Sequence, residues 1–77
     1  MQESIRVKGW DFKYDEDNEM YECRGDVWYD DYHDEIPEPS LWAACLKLEE
    51  ILKADGHNAD AGHSEKGWVE VQIYKNK

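Results

Sequence analysis

Two cysteines and three histidines are the residues with which this chain could hold a metal ion. Structural zinc sites use short, fixed ligand spacings such as Cys-x-x-Cys, and the sequence contains no such pair. His57 and His63 lie six residues apart, too far along a straight strand to share one ion. His33 lies in an acidic segment away from both. We therefore predict no metal site and no cofactor.

The candidate nucleophiles occupy positions that favour structural roles. Cys23 and Cys45 fall at apolar positions of the patterns described below, where a thiol behaves as a small buried hydrophobe. Ser40 and Ser64 fall at a helix start and a turn, where Ser is common for local hydrogen bonding. Paired carboxylates need a cleft to act as acid and base, and a chain of 77 residues seldom forms one. We predict that the protein is not an enzyme.

The stretch from Asp26 to Glu38 is the strongest candidate for a binding site. It contains six acids, three aromatic residues and no Lys or Arg. Such a run is often only a solvated loop that aids solubility. As a contact surface, its carboxylates would attract Arg and Lys, and its aromatic rings would act as desolvated anchors. The predicted partner-binding residues are Asp26, Trp28, Tyr29, Asp30, Asp31, Tyr32, Asp34 and Glu35.

The charge distribution excludes several partners. The net charge is −10, and residues 1–38, with thirteen acids and four bases, account for −9 of it. Such a surface repels the phosphates of nucleic acids and anionic membranes, and it attracts basic surfaces. No apolar run is long enough to span a membrane, and the first residues lack the apolar core of a secretory signal. We expect no membrane partner and no direct nucleic-acid partner. Because the two cysteines lie far apart and form no disulfide framework, we also expect a reduced, cytoplasmic setting.

The segment from Pro39 to Gly56 predicts an amphipathic helix around which the rest of the chain is organised. Pro suits the first helical turn, and Gly suits the left-handed residue that ends a helix. Polar residues occupy the opposite side of the helix. The apolar stripe repeats with the spacing of one helical face and consists of Leu41, Ala44, Cys45, Leu48, Ile51 and Leu52.

Alternating apolar residues predict strands on both sides of this helix. Residues 4–14 form one run whose phase slips at Gly9, which indicates either a bulge or a weakened two-sided strand. An acidic turn with Asn18 as its positive-φ residue would connect this run to residues 20–29 as a hairpin. Residues 30–38 are predicted to be a loop whose Ile36 packs on the helix start. Residues 57–63 predict a short or edge strand, residues 64–67 a tight turn, and residues 68–74 the best strand.

These elements give a single domain, residues 1–77, of the α+β class. We predict a three- or four-stranded antiparallel sheet in the order ββαββ, with the helix packed on one face. The other face would then expose Trp28, Trp68 and Tyr74. These aromatic residues could simply shield the sheet, or they could form a contact surface through which the protein self-associates, for example as a homodimer.

In size, acidity and lack of a catalytic motif, the chain resembles small acidic inhibitors and immunity proteins, including phage-encoded antagonists of restriction and CRISPR machinery. The resemblance implies a non-enzymatic protein that binds a basic surface of a nucleic-acid-handling protein, with carboxylates in place of phosphates and aromatic rings in place of bases. The alternative is an accessory domain that self-associates through the open sheet face, with acidity serving solubility alone. Salt dependence distinguishes them, because charge-driven docking weakens as ionic strength rises.

Overall fold

The computed structural model describes residues 2–29, 31–32, 34–64 and 67–74. Strands β1, β2, β3, β7 and β6 form an antiparallel sheet in that order, and β4 and β5 pair separately. The class is α+β with one helix on the sheet, as predicted, but the sheet has five strands in these ranges, not three or four. The elements are β1 (Ser4–Val7), β2 (Trp10–Asp15), β3 (Met20–Arg24), β4 (Val27–Tyr29), β5 (Glu35–Pro37), α1 (Pro39–Ala54), β6 (Asn58–His63) and β7 (Trp68–Tyr74).

The additional strand arises from a tight turn in residues 4–14. Lys8 and Gly9 have φ values of 50° and 87°, and positive φ at both central residues is the mark of a type I′ hairpin turn. Gly9 adopts this backbone without a Cβ clash. Val7 therefore lies opposite Trp10, and the apolar residues before and after the phase slip share one sheet face. The predictions of a bulge and of a two-sided strand were both wrong.

The run from residue 20 to residue 29 also divides in two. Tyr21 and Cys23 alternate along its first part and are both buried, whereas Tyr29 in its last part is exposed. The break comes at Gly25, where a Cβ atom would lie only 2.5 Å from Glu38 Oε1. The chain leaves the main sheet at this point, and β4 pairs with β5 in the segment predicted to be a loop. The predicted order ββαββ fails at this point.

The helix forms as its sequence predicts. Pro39 is its first residue, and Gly56, with a φ of 93°, follows its last turn. The Gly56 and His57 amides donate to the Lys53 and Leu52 carbonyls, which closes the helix end in a Schellman motif. Ile51 lies at the edge of the stripe and is partly exposed. The buried members of the stripe are Leu41, Ala44, Cys45, Leu48 and Leu52.

The core lies between the helix and one face of the five-stranded sheet. Tyr21 is fully buried, and its hydroxyl donates to the Gln2 carbonyl at 2.7 Å, so this polar group is satisfied. Its ring centroid lies 5.0 Å from that of Tyr14. The buried apolar residues are Val7, Phe12, Tyr21, Cys23, Leu41, Ala44, Cys45, Leu48, Leu52, Ala59, Val69 and Val71.

The acidic turn forms where the sequence predicts it, but a different residue adopts the positive φ. The acidic turn forms between β2 and β3, but Glu19 rather than Asn18 has the positive φ. Asn18 instead donates its side-chain amide to Asp15, which fixes it within the turn. Strand β6 lies at a sheet edge, as predicted. In the turn predicted at residues 64–67, Glu65 and Lys66 lie outside the described residues.

Candidate functional site

The acidic and aromatic stretch forms a two-stranded hairpin that leaves the end of the main sheet. At its base, the Gly25 amide donates to the Gly67 carbonyl and the Glu38 amide donates to the Asp26 carbonyl, each at 3.0 Å. Val27 lies opposite Pro37 at this base. Both strands of the hairpin, which lies between β3 and α1 in the chain, are therefore anchored where they meet the body of the protein.

The outer part of the hairpin exposes three large aromatic side chains. Trp28 is 54% exposed, Tyr29 is 65% exposed and Tyr32 is 84% exposed. A folded chain gains little from apolar rings left in water, and exposed aromatic residues among polar ones are typical of contact sites. The structure therefore places all three predicted aromatic residues where a partner could reach them.

The predicted acidic residues lie on the same hairpin and its connection. Asp26, Asp31 and Asp34 are exposed, and Glu35 is half-buried opposite Tyr29. Asp30 lies outside the described residues. Within the part of the chain that the structure describes, no ion pair involves Asp26 or Asp31.

The hairpin joins a surface that the sequence did not reveal. Ile36, on β5, lies opposite Trp28 of β4. It also lines a groove of about 340 Å³ together with Pro39 and Trp42 at the helix start. The Trp42 ring meets His63, from the end of β6, edge to face at a centroid distance of 5.2 Å. The spacing of Ile36, Pro39 and Trp42 was the available signal, but His63 comes from a remote segment and could not be assigned from sequence.

The open face of the main sheet is a weaker candidate. Trp68 is 40% exposed there, and the Arg24 guanidinium lies over its ring at 5.6 Å from the centroid. Glu22 and Glu70 lie directly opposite each other on this face. Burial, and the neighbouring Asp15 and Glu70 carboxylates, raise the pKa of Glu22. The prediction that Trp28 belongs to this face was wrong, because β4 is not part of the main sheet.

Comparisons of this chain with protein-family models, with curated proteins and with solved structures gave no match.

The two thiols lie in the core. Cys23 and Cys45 are free and buried, as their apolar positions predicted. Burial raises the pKa of both thiols, that of Cys45 to about 12, so neither supplies a thiolate at neutral pH. The Cys45 thiol also donates to the Glu70 carbonyl at 3.5 Å. These contacts give both residues a packing role.

The described histidines are separated by the fold. His57 lines a cavity with Leu52 near the end of the helix, whereas His63 lies in the groove beside Trp42. His33 lies outside the described residues. Among the residues that are described, no three His, Cys, Asp or Glu side chains come together as a metal site. The chain also has no described helix that could span a membrane.

Proposed function

We propose that this protein binds a basic surface of a nucleic-acid-handling protein through its acidic and aromatic hairpin. The observation that carries the proposal is the exposure of Trp28, Tyr29 and Tyr32 on one short hairpin that also bears Asp26 and Asp31. Aromatic anchors supply the desolvated contacts of an interface, and the carboxylates around them select a partner of opposite charge.

Electrostatics favours a basic protein as the partner. Residues 25–46 contain no Lys or Arg, so the hairpin and the helix start together present a negative surface. Carboxylates can pair with the Arg fork through two parallel hydrogen bonds, as phosphates do. A protein surface that binds a polynucleotide offers many such groups. The hairpin would compete with the polynucleotide for them, and the protein would act as an inhibitor by occupying the surface.

The open sheet face supports the alternative of self-association less well. A dimer through that face would bring the Glu22 and Glu70 carboxylates of two copies together. Like charges brought together in an interface oppose association. Trp68 on this face already packs against Arg24, so less of its ring is left for a partner.

Two double charge reversals test the proposal. Asp31→Lys with Asp34→Lys changes the hairpin, and Glu16→Lys with Asp17→Lys makes the same change of net charge in the exposed turn after β2. Each protein is immobilised and incubated at low salt with a lysate of its native host cells, and bound proteins are eluted with a salt gradient. We expect wild type and the turn variant to retain a basic protein that the hairpin variant loses.

A competition step tests the mimicry itself. The captured protein is challenged with duplex DNA and with RNA, and displacement from the immobilised wild type is measured. Displacement by either polynucleotide supports a shared surface. If wild type, the hairpin variant and the turn variant all retain the captured protein equally, the hairpin is not the binding surface. If neither DNA nor RNA displaces the captured protein from wild type, nucleic-acid mimicry is refuted.

A further inference from the structure

The groove beside the hairpin is apolar in a strongly acidic protein. It has a volume of about 340 Å³ and lies between β5, the first turn of α1 and the end of β6. No Lys, Arg, Asp or Glu is among its described lining residues, which suits an apolar occupant. These lining residues are Ile36, Pro37, Pro39, Trp42 and His63.

The groove and the hairpin form one continuous surface. Ile36 lines the groove, and across β4 and β5 it lies opposite the exposed Trp28. Directly opposed residues of an antiparallel pair project from the same face, with Cβ atoms about 5 Å apart. A partner that contacts Trp28 therefore reaches the groove without crossing a polar gap.

Acidic residues lie before and between the groove residues along the chain. Asp34 and Glu35 precede Ile36, and Glu38 separates the two prolines. A segment seated in the groove therefore lies in the negative potential of these carboxylates, which favours Lys and Arg beside whatever fills the groove.

We propose that the groove receives a bulky apolar side chain of the partner, on a short segment with Lys or Arg on both sides of it. The inference rests on the proposed function and names the segment that the surface recognises. An Arg side chain is a poorer occupant, because no carboxylate lines the groove to pair with the desolvated guanidinium. A second copy of this chain is disfavoured, because each copy carries a net charge of −10.

Three short peptides test the groove on the wild-type protein by NMR titration at low salt. The first has a central Phe between Lys and Arg residues, the second has Ser in place of Phe, and the third keeps Phe but replaces the basic residues with Glu. We expect the first to bind about tenfold more tightly than the second, which is the effect of one buried anchor. It should shift the Trp42 indole and Ile36 amide signals, and the third should bind most weakly.

Two variants with the same substitution locate the effect. Ile36→Thr should reduce the affinity of the Phe peptide to that of the Ser peptide, whose own affinity stays unchanged. Ile51→Thr, at the edge of the helix stripe and away from the groove lining, should leave the preference for Phe intact. If Ile36→Thr fails to fold, the wild-type comparison and the Trp42 shift still decide the question.

The outcomes separate this inference from the proposed function. Equal binding of the Phe and Ser peptides would overturn the groove as an anchor site and leave the charged hairpin standing. Equal binding of the acidic and basic Phe peptides would overturn the basic flanks and weaken the proposed function as well. Binding of none would overturn the groove proposal, whereas the hairpin is judged by the charge reversals, which leave the groove lining unchanged.

Discussion

Trp28 lies directly opposite Ile36 across the β4–β5 pair, which links an exposed ring to the apolar groove at the helix start. Neither residue belongs to the main sheet, and the groove they lead to is completed by Pro39 and Trp42 of the helix and by His63 at the end of β6. Changes at Trp28 should therefore alter binding without disturbing the core.

Trp28→Ala should speed dissociation of the captured partner about tenfold or more, because a desolvated aromatic anchor holds a complex once it has formed. Trp68→Ala is the matched control, since Trp68 is also partly exposed but lies on the open sheet face. Surface plasmon resonance measures both rates, and melting curves check the fold. Faster dissociation for Trp68→Ala alone would place the interface on the sheet and favour the accessory-domain alternative.

Leu48→Ala should lower the free energy of unfolding by about 2–4 kcal/mol, because a buried Leu loses its transfer energy and leaves a cavity. Leu48 is 0% exposed, whereas Leu46 on the same helix is 43% exposed. Leu46→Ala should therefore lower the free energy of unfolding by less than about 1 kcal/mol. Urea denaturation measures both, and similar losses for the two variants would show that the buried face of the helix is misassigned.

The helix was predictable because its signals are local. Pro39, Gly56 and the apolar stripe lie within one segment, and each acts through its own turn of helix. The stripe needed one correction at Ile51, which is 36% exposed at the margin of the buried face. Burial at the margin of a face depends on the partner element, which the sequence of the helix does not contain.

The division of residues 4–14 into two strands is a local feature that the sequence signals only in part. Gly9 permits the positive φ of a two-residue turn, but Lys-Gly is not one of the pairs that mark such a turn, and the odd and even apolar sets around it also fit a single strand. The groove could not be predicted in the same way. His63 joins Trp42 only because β6 returns along the sheet edge beside the helix, and that is a property of the whole fold.

Gly67→Ala should destabilise the protein by about 2 kcal/mol or more. Gly67 has a φ of 79°, and a Cβ atom there would clash with the Gly25 carbonyl oxygen at the base of the hairpin. Gly62→Ala is the control, because its Cβ would meet only Glu70 Oε1, at an ordinary 3.9 Å. Thermal melting compares the two variants, and an unchanged melting temperature for Gly67→Ala would show that the base can rearrange.

Glu49 should stabilise the protein at neutral pH. Its carboxylate accepts a hydrogen bond from the Ala61 amide of β6 at 2.6 Å, and this bond, with Lys53 nearby, lowers the pKa of Glu49 below the ordinary 4.5. The stabilisation is present above pH 4.5 and is lost as the pH falls through the folded-state pKa. Glu49→Gln should lower the melting temperature at pH 7, and Glu50→Gln, at an exposed ion pair, should change it little.

Glu22, in contrast to Glu49, should destabilise the folded protein at neutral pH. Because burial and the Asp15 and Glu70 carboxylates raise the pKa of Glu22 above the ordinary 4.5, its ionised form destabilises the folded state. The penalty is absent below pH 4.5 and grows as the pH rises through the folded-state pKa. Glu22→Gln should therefore melt at a higher temperature than wild type at pH 7 and at the same temperature in acid. A lower melting temperature at pH 7 would contradict the pKa assignment.

The pairing of β3 with β7 has a consequence for how this protein can evolve. Among the described strands of the main sheet, it is the one contact that joins segments distant in sequence, and everything from Gly25 to Gly67 lies within the loop that it closes. The free-energy cost of closing a loop rises only slowly with the length of the loop, by about 0.6 kcal/mol for each doubling of that length. Insertions in the outer part of the hairpin should therefore be tolerated far better than insertions in β3 or β7. A lineage could change the length of the proposed binding hairpin repeatedly while its sheet stays constant.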